Sequence, residues 1–179
     1  GALISARFVA AYALMFGLEG IPAIYFNSLI SAQNHTDGVA RSGMKRGINR
    51  QKFAKDWIDD RLSEPASRES FGLVKLKELL KIRKQQPAFH PNATQFTLQL
   101  RSELFGVWRQ SQDRKQSIFA ITNLCASEQG LDLSAINLID TENWHDLVTQ
   151  QPIEDNEKYL KMSPYQTVWI TNQAAPSRR

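Results

Sequence analysis

The sequence predicts the end of an α/β unit followed by an all-antiparallel β-domain. Three observations carry this. An Ala-rich helical pattern runs directly into a short apolar strand pattern between residues 2 and 26. A long polar loop and two further helical patterns follow, closed by Pro87. From about Asn92 the chain breaks into short alternating runs separated by turn residues.

Ala2 to Gly17 is apolar with Arg7 as its one charge, which suits a helix buried on most sides. Gly17 and Gly20 punctuate its end. Ile21 to Phe26 is a run of β-branched and aromatic residues between a glycine and an asparagine, the pattern of a strand buried on both faces. The polar stretch from Asn27 to Arg50 lacks apolar periodicity. It exceeds the ~15 residues beyond which a connection is usually functional or disordered. A loop leaving the C-terminal end of a parallel strand is where α/β barrels keep their active sites, so this segment reads as one wall of a pocket. Gln51–Leu62 has the spacing of a short amphipathic helix, with Phe53, Trp57, Ile58 and Leu62 inward. Pro65 suits the first turn of another helix, running to about Gln86 with Leu73, Leu76, Leu80 and Arg83 along one stripe.

The β-domain is expected to use strands at Gln95–Leu100, Leu104–Gln110, Ser117–Leu124, Leu131–Asp132, Asp146–Val148, Tyr159–Lys161 and Thr167–Thr171. Gln112-Asp113-Arg114-Lys115 is a hairpin turn between two of them. The tail Ala174–Arg179 reads as disordered. The domain boundary is expected between residues 90 and 91.

Composition narrows the function classes. At 42% hydrophobic residues the chain supports a real core. Single Cys125 excludes an internal disulfide or a cysteine metal cluster, and its apolar context reads as a buried, inert thiol. No run reaches the ~18 apolar residues of a membrane span, and no basic leader precedes the apolar N-terminus, so a cytoplasmic protein without membrane partners is expected. The net charge of +4 is uneven: residues 41–84 hold 13 Lys/Arg against 6 Asp/Glu. That excess serves an anionic ligand or solvates two helices. Nucleic-acid binding is not expected, because basic and aromatic residues are not interleaved and no helix-turn-helix pattern occurs. His35, His90 and His145 are too scattered for zinc, and no metal or cofactor is expected. Trp108, Trp169, Phe105, Phe119 and Tyr165 could form a sugar-stacking platform, but their strand positions favour core packing.

Three motifs carry a family resemblance. GIPAIYFNSL followed by RSGMKRGINRQKF resembles the eighth strand and its loop in the sucrose phosphorylase branch of the α-amylase superfamily (glycoside hydrolase family 13). LLKIRKQQPAFHPNA resembles the last barrel helix and its exit, and SPYQTVWIT the closing strand of the C-terminal β-domain. The resemblance implies the last helix–strand–helix part of a (β/α)8 barrel over residues 1–90 and a C-terminal β-domain over 91–179. It implies an enzyme that splits an α-glucoside with phosphate and retains the anomeric configuration. Relatives act on sucrose, phosphorylated sucrose or glucosylglycerate.

Retaining chemistry needs two carboxyl groups flanking the glycosidic bond. In this family they lie on earlier barrel strands, and Glu19 is the only acid before Gly20. The chain therefore resembles the C-terminal third of such an enzyme, holds no catalytic residue of its own, and is expected to be inactive alone. The resemblance carries Arg46 over as the arginine that reaches the hydroxyls of the bound glucosyl unit, and Asn34 as an acceptor-side residue. His35 stands where relatives often have Asp, and Asp37 is available to take over that carboxylate. Arg50, with Asn49, forms the INR element and reads as tying the loop to the next helix. Lys45 departs from the small or neutral residue usual there. The competing reading is a non-catalytic carbohydrate-binding or interaction module. Apolar surface around residues 1–30 is expected to promote self-association.

Overall fold

The computed structural model describes residues 2–136, 144–153 and 158–173. The tail expected to be disordered lies outside them. The helices are α1 (Ala2–Gly17), α2 (Phe26–Leu29), α3 (Thr36–Ser42), α4 (Lys55–Ser63) and α5 (Arg68–Lys84). The strands are β1 (Thr94–Thr97), β2 (Leu104–Gln110), β3 (Ser117–Asn123), β4 (Gln129–Asp132), β5 (His145–Asp146), β6 (Tyr159–Met162) and β7 (Thr167–Thr171). Packing divides the chain into two compact units, Gly1–Pro22 with Leu79–Arg179, and Ala23–Glu78.

The first unit is built on a five-stranded antiparallel sheet in the order β1-β2-β3-β7-β5. β4 and β6 form a separate antiparallel pair. Register assigns the two faces. Trp108 lies opposite Phe119, and Phe119 opposite Ile170. That face joins Ile121 and Val168 in a core with Leu131, Leu133, Ile136 and Met162. The other face carries Val107, Ala120 and Trp169 in register. It is covered by α1, whose Ala10, Ala13 and Phe16 are buried. Gly17 permits this approach: a Cβ there would sit 3.0 Å from the Ala120 methyl. α1 was expected to need cover on more than one side. It has it on one, and Leu3 and Ile4 on the other remain 53% and 71% exposed. α1 rests on β3 and β7, so packing groups it with the residues from Leu79 onward.

Two buried arginines fix the end of α1. Arg83, on the inward stripe of α5, donates to the carbonyls of Phe16, Leu18 and Gly20, the last at 2.8 Å. Arg109 is fully buried and donates to Gly17 (3.2 Å), His90 (2.9 Å) and Ala93 (3.4 Å). Both guanidiniums lie against the Phe89 ring, which packs edge-on against Trp169. This explains the PAFHP motif: Pro87 starts a 3-10 turn (Pro87–Phe89) that drives Phe89 under the arginines. Helix C-termini favour cations, so carbonyl dipoles stand in for a carboxylate partner. Burial, and the neighbouring Arg83 charge, lower the Arg109 guanidinium to about 10, which leaves it charged at neutral pH.

Asn123 joins the two sheets. Its amide donates to the carbonyls of Ser127, Met162 and Ser163, and its oxygen accepts from the Cys125 N–H. Cys125, expected to be buried, is half-buried because β3 ends at Asn123, two residues earlier.

Three local expectations are corrected. Residues 21–25 form no strand; the run ends in α2 at Phe26. A strand needs a hydrogen-bonded neighbour, and no described segment supplies one. The helix expected from Gln51 starts at Lys55. α5 starts at Arg68 rather than near Pro65, because the Ser67 hydroxyl accepts the Ser70 N–H and caps it there.

Candidate functional site

The second unit, Ala23–Glu78, contains the loop expected to form a pocket wall. Its backbone is folded rather than open. Asn27, 8% exposed, donates its side-chain amide to the carbonyls of Asn49 (3.1 Å) and Gln51 (2.8 Å). That pair of bonds ties the start of the loop to its end across more than twenty residues. Within the loop, the His35 N–H donates to the Ile48 carbonyl. α3 and the 3-10 turn Lys45–Gly47 thus lie side by side, joined through Gly43 in the left-handed conformation.

The expected site residues are placed as follows. Asn34 is exposed, and its carbonyl accepts the Thr36 N–H. His35 is half-buried at the N-cap position of α3, its ring lying over Gly38 so closely that a Cβ at that glycine would meet it at 1.8 Å. Asp37 is exposed in the first turn of α3. Arg46 is exposed in the 3-10 turn. Asn49 and Arg50 are exposed where the loop returns. The fold brings Asn34 and His35 alongside Ile48 and Asn49 through the one backbone bond.

Charge is distributed unequally within this unit. The helices pair their charges: Lys55 with Asp59, Arg61 with Glu64 and Glu69, Arg68 with Glu69, Lys75 with Glu78. Burial pushes the Glu69 carboxyl up. Its own backbone N–H and the Arg68 and Arg61 guanidiniums more than offset this and hold it below the usual value of 4.5. It stays ionised at neutral pH and cannot serve as a proton donor there. By contrast, exposed Arg41, Lys45, Arg46 and Arg50 have no carboxylate partner among the described residues. Four unpaired cations thus cluster on the loop, while on the helix α5 Lys77 also lacks a carboxylate partner among the described residues.

Sequence reasoning missed Asn27. The one available signal was its position, a polar residue where the apolar run stops. Asn27→Ala is expected to lose about 1–2 kcal/mol of local stability through its two bonds. Limited trypsin digestion checks this: cleavage between Arg41 and Arg50 should speed up while the β-domain remains intact.

The aromatic platform does not form. Trp169 and Phe119 are 0% and 7% exposed and belong to the core. Among the described residues, no group of three or more His, Cys, Asp or Glu could hold a metal ion. No described helix is long and apolar enough to cross a membrane.

The fold is shared with solved structures of other proteins. The trehalose-6-phosphate hydrolase of Bacillus licheniformis superposes with a TM-score of 0.62 at 16% identity, over 93% of this chain and 38% of that one. AmyP in complex with maltose gives 0.64 at 13% identity, over 98% and 36%. No family model matches the sequence. Within this fold, the chain resembles the C-terminal part of a sucrose phosphorylase-like enzyme of glycoside hydrolase family 13. The glucosylglycerate phosphorylase of Allomeiothermus silvanus is 34% identical over 165 residues, 92% of this chain and 27% of that enzyme. That of Spirochaeta thermophila is 27% identical over 173 residues, 92% of this chain and 30% of the enzyme. The chain thus spans less than a third of the length of these relatives.

Proposed function

We propose that this chain supplies one wall of the glucosyl pocket in a retaining glycoside phosphorylase, which converts an α-glucoside and inorganic phosphate to glucose 1-phosphate. The observation that carries this is the loop from Asn27 to Gln51. It is tied shut at its base and presents four exposed cations without internal partners, in a chain homologous to glucosylglycerate phosphorylases.

The reaction explains why such a loop is useful. One carboxylate attacks the anomeric carbon while an acid protonates the departing oxygen. A phosphate oxygen then displaces the enzyme carboxylate, giving the sugar phosphate with its original configuration. Both carboxyl groups lie outside this chain. What the loop contributes is binding. Arg46 has a planar fork of donors that suits two adjacent sugar hydroxyls, or a carboxylate that itself touches the sugar. The surrounding cations raise the local concentration of a phosphate dianion. They suit an anionic acceptor such as glycerate equally well, with Asn34, His35 and Asp37 on the acceptor side. Without the remaining pocket the fragment is inactive, and its exposed apolar surface favours self-association.

The test is a chimera in which this chain replaces the matched 165 residues of the Allomeiothermus silvanus enzyme. It should release glucose 1-phosphate from at least one of glucosylglycerate, sucrose or phosphorylated sucrose, only when phosphate is present. A folded chimera that releases free glucose at the same rate without phosphate contradicts the assignment.

A further inference from the structure

The core face of the five-stranded sheet is sealed on one side by leucines. Leu98 and Leu100 reach over Gly106, where a Cβ would lie 3.0 Å from the first and 2.9 Å from the second, and both pack against the core. Phe96 stands outside that core and is 48% exposed. It lies on β1, an edge strand of the sheet. Register shows what surrounds it. Phe96 pairs with Trp108, and Trp108 with Phe119. The three rings make a row across β1, β2 and β3, with centroids 5.0 and 5.9 Å apart. Phe119 is buried, Trp108 half-buried and Phe96 exposed, so the row emerges from the core at the sheet edge. Side chains two residues apart on a strand share a face. The row beside the rings is therefore Thr94, Gln110 and Ser117, paired across the same strands. Neither row carries a charge. The Ser117 hydroxyl accepts the Trp108 indole N–H at 3.1 Å. The side chains of exposed Thr94 and half-buried Gln110 make no hydrogen bond to a described residue.

We propose that this edge of the β-domain binds a neutral oligosaccharide, with one pyranose ring against Phe96 and its hydroxyls on Thr94 and Gln110. A pyranose has an apolar face of C–H bonds and a rim of hydroxyls. The aromatic ring takes the first. An uncharged hydroxyl and a carboxamide, each both donor and acceptor, take the second. Trp108 is anchored through its indole N–H and backs Phe96 from the core side. A polyanion or an anionic lipid surface calls for cations in these rows, and there are none. Arg109, between Trp108 and Gln110 in sequence, belongs to the opposite face and is fully buried. A strand from another protein fits less well, because β1 offers only four residues for a ladder. The site rests on the register of the sheet and not on the proposed function.

The experiment titrates the isotope-labelled 179-residue chain with maltotriose and, separately, with cellotriose, followed by amide and indole NMR. At least one of the two should give saturating shifts centred on the amides of β1 and the Trp108 indole N–H. Phe96→Ala should raise the dissociation constant roughly tenfold. Thr94→Val should raise it about threefold, for one lost hydrogen bond. Phe96→Tyr, which keeps the ring, should leave it within about twofold. Native spectral dispersion shows that Phe96→Ala has kept the fold; where it has not, Thr94→Val and Phe96→Tyr carry the test. No shifts with either sugar, shifts centred elsewhere, or binding indifferent to both Phe96→Ala and Thr94→Val overturns the proposal. So do shifts at β1 that follow protein concentration without sugar, which would make the edge a contact between copies. A sulfated polysaccharide that binds there more tightly than either sugar overturns it too.

Discussion

Arg109→Met is expected to destabilise the unit containing the β-domain by about 2–4 kcal/mol. Arg109 is fully buried and holds the carbonyls of Gly17, His90 and Ala93. The His90 carbonyl keeps a second partner, the Ala93 N–H, but the other two lose theirs. Each carbonyl left buried and unpaired costs about 1–3 kcal/mol. Methionine fills the stem of the cavity and removes the cost of burying a charge, so the net loss falls short of the full sum. Unfolding followed by the fluorescence of buried Trp169 gives the readout, and the midpoint temperature should fall on the order of 5–10 °C. An unchanged midpoint would mean that apolar packing and Arg83 hold the end of α1 without Arg109.

Arg46→Ala in the active chimera is expected to reduce kcat/KM ten- to a hundredfold, equivalent to about 1.5–3 kcal/mol for a charged hydrogen bond to the sugar. The loss should appear for every α-glucoside tested, because the proposed contact is to the transferred glucosyl unit and not to the acceptor. Stability should hardly change, since Arg46 is exposed and makes no side-chain hydrogen bond among the described residues. A loss confined to one acceptor would move Arg46 to the acceptor side of the pocket. Wild-type kinetics would remove it from the site.

The β-domain was legible because its signals are local. Leu104–Gln110 and Thr167–Thr171 stand as strands at the residues expected, and the turn at 112–115 joins β2 to β3. α1 spans Ala2–Gly17 as its composition requires. The strand expected at Ile21–Phe26 was not realised, because a strand is a property of a pair and apolar composition cannot supply the partner. Arg83 was readable from its place on the stripe of Leu73, Leu76 and Leu80. Arg109 was readable in principle, since it shares the strand phase of buried Val107, but charge argued for the surface. What alternation cannot show is that carbonyls at a helix end will accept a buried guanidinium. The candidate site was legible only as a polar loop with arginines. The tie made by Asn27 joins residues more than twenty apart, and no short-range pattern encodes it.

In the proposed function this polypeptide contributes sugar and anion contacts while the reacting carboxylates lie elsewhere. The direct measurement is glucose 1-phosphate formation by the purified chain incubated with phosphate and glucosylglycerate, sucrose or phosphorylated sucrose. The expected result is none above background for any substrate, from the same preparation that gives phosphate-dependent turnover once joined to the rest of the relative. Turnover that follows the isolated chain through purification and disappears with Arg46→Ala would contradict it, because the catalytic pair would then have to lie within these 179 residues.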